Sequence, residues 1–142
     1  MTKVRCEYCH EYVDRAVYSA YCRQHLRLQP DGQLTDYMTL PEEEREHGVL
    51  DGVPRVYVHR RCGAATEMPD EIIRSYLKNP YLYYSDRTFC TGCGDHVPWS
   101  ECEWTETGQN LQKYIDRLRA EKPEMRPGIL KQILIVLSKL FG

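Results

Sequence analysis

Apolar and polar side chains change their period several times along this chain, and each change marks an element. VPRVYVH, residues 53–59, has β-branched and aromatic side chains in the alternation of a strand, and this strand ends at His59. MPDEIIRSYLKNP then switches to the helical period. Ile72, Ile73, Tyr76 and Leu77 share one face, Asp70 and Glu71 sit against the positive end, and Pro80 stops the run, so a helix is expected from about 69 to 79. Leu111, Tyr114, Ile115 and Leu118 predict another over about 107–122, ended by Pro123. RTF reads as a strand running into Cys90, and GDHVPWSECEW after it reads as loop.

Elsewhere the pattern is weaker. EYVDRAVYSAY, residues 11–21, alternates loosely and suits a short hairpin, after which Cys22 stands where a short helix would begin. Residues 30–54 carry turn signals at PDGQ and LDGV, with a short helix expected in LPEEEREHG. Residues 123–128 read as a linker. Residues 129–142 form an amphipathic pattern: Ile129, Leu130, Ile133, Leu134, Val136, Leu137, Leu140 and Phe141 share one face, and Lys131, Gln132, Ser138 and Lys139 share the other. Such a face packs on the chain's own helices, on a second copy or another protein, or on an anionic membrane surface.

Length and charge narrow the classes. At 142 residues the chain suits one domain, and a net charge of −2 argues against a generally basic nucleic-acid binder. The N-terminus lacks the apolar core of a secretory signal and no stretch is long enough to span a bilayer, so an intracellular, cytoplasmic protein is expected. Seven cysteines make an odd count for a disulfide framework, and thiols at C-x-x-C spacing in a reducing compartment are more often metal ligands.

Four pairs share one spacing: Cys6 with Cys9, Cys22 with His25, His59 with Cys62, and Cys90 with Cys93. Two intervening residues let a tight turn aim both side chains at one ion, and two pairs complete a tetrahedron. Thiolate-rich sets with one imidazole favour zinc over oxygen-seeking cations, and an iron–sulfur cluster usually takes four cysteines. Two Zn2+ ions are therefore expected, each held by three cysteines and one histidine. Sequential pairing is preferred, because 33 residues separate His25 from His59 whereas a cross-brace finger brings its middle pairs together.

The twelve residues between Cys9 and Cys22 accommodate a knuckle, a hairpin and a first helical turn, so residues 6 to about 28 resemble the treble-clef zinc-finger plan. That resemblance implies a local fold and no activity. A first finger is expected at about 4–28 and a second site at about 53–98, both within a zinc-binding domain spanning 1–122.

His10, His96 and Cys102 are spare donors. His10 and His96 are read as exposed or hydrogen-bonding groups and Cys102 as a small buried side chain near Trp104, with the alternative that one of them displaces an assigned ligand. His47 reads as solvated. No catalytic signature appears, since H-E-x-x-H and the deaminase pattern are both missing, and Asp95, Glu101 and Glu103 read as surface acids. Arg55, Tyr57, Arg60 and Arg61, with Arg23 and Arg27, would suit phosphates and stacked bases or would be solvated charge beside a metal site. Among eleven tyrosines, some of Tyr81, Tyr83 and Tyr84 must face outward.

The reading is a small zinc-stabilised α+β domain with short hairpins and three to four helices, acting as a protein-interaction or adaptor module with no catalytic residues. Its partner would be a protein or a second copy, met through the C-terminal helix. A nucleic-acid-binding zinc finger is the alternative, followed by a metal-dependent hydrolase or nuclease or a thiol-redox enzyme.

Overall fold

The strand read at 53–59 becomes the centre of the largest sheet. The computed structural model describes residues 2–30, 33–34 and 36–128; the amphipathic helix expected over 129–142 lies outside them. The described residues form a small α+β protein with three α-helices and seven short strands in three sheets. β1 (Lys3–Arg5) pairs antiparallel with β2 (Tyr12–Asp14), and α1 (Tyr18–Cys22) follows after a 3-10 turn. β3 (Val56–His59) lies between β4 (Ala65–Glu67) and a strand from far along the chain, Cys102–Trp104. Between them come α2 (Asp70–Lys78) and the hairpin of β5 (Arg87–Cys90) with β6 (Asp95–Pro98). Cys102–Trp104 is β7, and α3 (Leu111–Glu121) closes the fold.

Strand alternation decides what enters the core. Tyr57 and His59 are the buried positions of β3, and across the antiparallel register they oppose Trp104 and Cys102, the buried positions of β7. Edge-to-face ring contacts then run from Tyr57 to Trp104 (6.0 Å), Trp104 to Tyr114 (5.6 Å) and Tyr114 to Tyr76 (6.4 Å), tying β3 and β7 to α3 and α2. Ile73, Leu111 and Ile115 fill the space beside these rings. The helical stripes place α2 and α3 against this core, with Ile72, Leu77 and Leu118 at its margin.

Four local expectations need correcting. The hairpin expected inside 11–21 instead brackets residues 6–11, with Val4 opposite Val13. Asp14 accepts from the Ala16 N–H at 2.9 Å and turns the chain into helix, so α1 ends at Cys22 and does not begin there. The helix expected around LPEEEREHG is only a 3-10 turn, Glu42–Glu44, where adjacent acids repel and Glu43 reaches out to Arg5 at 2.8 Å. GDHVPWSECEW is not loop: it supplies β6, a 3-10 turn at Trp99–Glu101 and β7. Its strands are three or four residues long and are stabilised by partners that local pattern does not show.

Arg119 on α3 fastens the 79–86 segment. Its guanidinium donates to Pro80 O (2.9 Å) and Tyr83 O (3.0 Å), pairs with Asp86 at 3.0 Å, and lies over the rings of Tyr81 and Trp99. Arg119 and Asp86 are largely buried, so neither charge is well solvated without the other. Replacing Arg119 by Ala is expected to lower stability by about 3 kcal/mol in urea unfolding, with Arg119→Lys recovering only part because it lacks the planar fork.

Candidate metal centres

Three of the four ligand pairs sit on one kind of turn. In each, the residue after the second ligand has positive φ: His10 at 67°, Gly63 at 75° and Gly94 at 65°. Each of these residues also donates its N–H back to the carbonyl of the first ligand, His10 to Cys6 (2.9 Å), Gly63 to His59 (2.7 Å) and Gly94 to Cys90 (2.9 Å). Glycine meets that conformation without a Cβ penalty, and histidine is among the residues that tolerate it. The turns also aim N–H groups at sulfur: Tyr8 N at Cys6 (3.4 Å), Ala64 N at Cys62 (3.5 Å) and Cys93 N at Cys90 (3.4 Å). Such donors stabilise thiolate. Cys22 and His25 differ, lying on the end of α1 and the 3-10 turn (Arg23–Leu26) that continues it.

Two groups of donors converge, and each could hold a metal ion. One holds His59, Cys62, Cys90 and Cys93, and the other Cys6, Cys9 and His25, with all donor atoms of a group within 4.8 Å of one another. Both follow the sequential pairing. Cys22 stands outside the first group, near Tyr18, whose hydroxyl is pushed up to about 12 by burial and then by the Cys22 thiol. The cysteines are free thiols, with Cys62 Sγ 3.4 Å from Cys90 Sγ, far beyond a disulfide bond.

A carboxylate orients each imidazole. His25 Nδ1 lies 2.8 Å from Asp36, and His59 Nε2 lies 2.8 Å from Glu101. An ionised carboxylate only accepts, so these nitrogens carry the protons, leaving His25 Nε2 and His59 Nδ1 with lone pairs. His25 Nε2 is buried with no hydrogen-bond partner, and His59 Nδ1 lies 3.4 Å from Cys93 Sγ. An orphaned, buried nitrogen beside two thiols fits a metal ligand, since an unsatisfied buried acceptor is otherwise costly. The carboxylates raise both histidines above their usual pKa, which makes them stronger donors.

Charge points the same way. The Ala64 N–H, followed by the Cys90 thiol, lowers Cys62 to about 7, while desolvation and the Cys90 and Cys62 thiols push Cys93 up to about 11. Thiolates this close repel, and a cation among them relieves the repulsion. Gly92 makes the approach of the two turns feasible: a Cβ there would lie 2.5 Å from Ala64 Cβ and 2.9 Å from Cys62 Sγ.

Of the spare donors, His10 bonds Thr39 at 3.1 Å, His96 packs edge-on to Phe89, and Cys102 is buried in β7 with its thiol toward Pro98 O. None joins either group. Tyr57 is buried and offers no stacking face to a base, while Arg55 pairs with Asp70, Arg60 meets Glu103 at 3.8 Å and Arg61 meets Glu101 at 3.4 Å. Glu101 is therefore not merely a surface acid. It and Asp36 are the histidine-binding carboxylates that spacing does not reveal, since they lie 42 and 11 positions from the histidines they hold.

Comparison with known protein families, with curated proteins and with solved structures finds no match for this chain. No helix among the described residues is long and apolar enough to cross a membrane.

Asp36→Ala and Glu101→Ala are each expected to weaken one metal equivalent about 10- to 100-fold in competition with a chromophoric chelator, leaving the other unchanged. Gly92→Ala is expected to loosen only the second site, seen as one metal lost and the Cys62, Cys90 and Cys93 thiols becoming reactive.

Proposed function

We propose that both groups hold Zn2+ in a structural role, and that the protein is an intracellular protein-interaction or adaptor module. Thiolate-rich donor sets with one imidazole select zinc over oxygen-seeking cations. The observation that carries the structural reading is the full four-donor set of the second group, while Asp36 and Glu101 each orient a candidate ligand histidine through its distal nitrogen. The second group has the four donors of a closed site. In the first, Cys22 is three residues from His25 on the continuing helical turn and would be the fourth ligand. Metal binding then contributes directly to folding, as suits a chain whose first hairpin has only three-residue strands.

The partner is a protein or a second copy, met in part through residues 129–142. A metal-dependent hydrolase is the second reading, favoured by one observation: among the described residues three donors of the first group converge, which would leave a coordination position for water.

Native mass spectrometry is expected to find two zinc ions per chain and to report the oligomeric state in the same spectrum. Cys22→Ala separates the readings. If Cys22 is the fourth ligand, the first site weakens by at least about 10-fold, a loss no smaller than that of an outer-shell partner. Unchanged affinity would instead support an open position and hydrolysis. Removing both ions with a strong chelator is expected to abolish the cooperative melt, and a chain that melts unchanged without metal would overturn the structural role.

A further inference from the structure

We propose that the cleft between the first metal group and the core binds a peptide segment of a partner protein that presents aliphatic side chains beside a lysine or arginine. This rests on the interaction-module reading and names the chemistry of its partner. The cleft encloses about 490 Å3, within the range of specific ligand sites. Its floor is apolar and built from the core, with Tyr57, Tyr76, Trp99, Leu111 and Ile115 all buried beneath it.

The mouth has the opposite character. Glu7 and Glu67 are exposed on the lining, against Arg87, whose guanidinium donates to His96 O at 2.8 Å. Two aromatic rings stand at the opening, Tyr37 at 45% and Tyr84 at 38% exposure. Acids and ring faces together attract a cation, and the floor rewards an apolar body next to it. A phosphate backbone or an anionic lipid surface meets like charge at this mouth.

The walls are held in place before anything binds. The Tyr37 hydroxyl donates to Glu71 at 2.9 Å, and the Tyr83 hydroxyl bonds the carbonyl of Met38. Tyr8 stacks on the His25 imidazole, with ring centres 5.2 Å apart and planes 17° from parallel, so the first metal group backs one wall. Side chains fixed in this way lose little entropy when a ligand arrives.

The test uses the full zinc-loaded chain and fluorescence anisotropy with a labelled octapeptide containing two leucines and two lysines. Saturable binding is expected, at least about 10-fold tighter than for the same peptide with glutamates in place of the lysines, and weaker as salt rises. Glu7→Gln with Glu67→Gln, both at exposed positions, is expected to weaken binding about 10-fold without changing zinc content. Ile72→Trp, which fills the cleft, is expected to abolish it. Equal binding of the two peptides, indifference to the paired glutamine substitutions, binding that survives Ile72→Trp in protein with an unchanged melt, or no binding by zinc-loaded protein would each overturn the proposal. Native mass spectrometry of the same sample tests the metal reading separately: peptide binding without zinc would sink that reading and leave the cleft standing, and two zinc ions without peptide binding would do the reverse.

Discussion

Sulfur and imidazole donors gathered within 4.8 Å of one another constrain everything around them. Thiolates sharing so small a volume repel, so each group could hold a cation, and a buried imidazole nitrogen left unpartnered is costly. The chain concentrates these unfavourable groups near the ends of short strands, where in three of the four pairs a left-handed residue bends the backbone and the N–H groups of Tyr8, Ala64 and Cys93 point at sulfur. The strands themselves are too short to be stable alone.

The stretch between the two metal groups is more than a connector. Asp36 binds His25, Thr39 receives His10, and the Met38 carbonyl takes the Tyr83 hydroxyl. Ser75, fully buried in α2, accepts the Leu40 N–H at 3.0 Å while donating to Glu71 O at 2.6 Å. One strip of chain thus fastens the first metal group to the α2 face of the core. The cleft lies along that seam, which makes its shape sensitive to both.

Charge is unevenly spread over the described surface. Arg55, Arg60 and Arg61 each face a carboxylate, which offsets part of the positive charge there. Exposed acids gather instead at the mouth of the apolar cleft. Binding energy there would come from buried apolar area, and discrimination from the rim.

Much of the core was legible from periodicity: Ile73 and Tyr76 on α2, Leu111, Tyr114 and Ile115 on α3, and a strand ending at His59 all follow from residues on one face recurring at a fixed interval. The ligand pairs were legible too, because two-residue spacing is a property of the local turn, and seven of the eight named donors converge in the structure. Three things were not legible in period or spacing. β4 and β6 are too short to declare themselves and form by turning back on β3 and β5, while β7 exists because β3, far earlier in the chain, offers hydrogen bonds. Cys22 falls on the C-terminal end of α1 because Asp14 starts the helical turn earlier than the ligand spacing implies. Asp36 and Glu101 become histidine partners only once the chain has folded back, since a carboxylate far along the sequence carries no local mark of the ring it will meet.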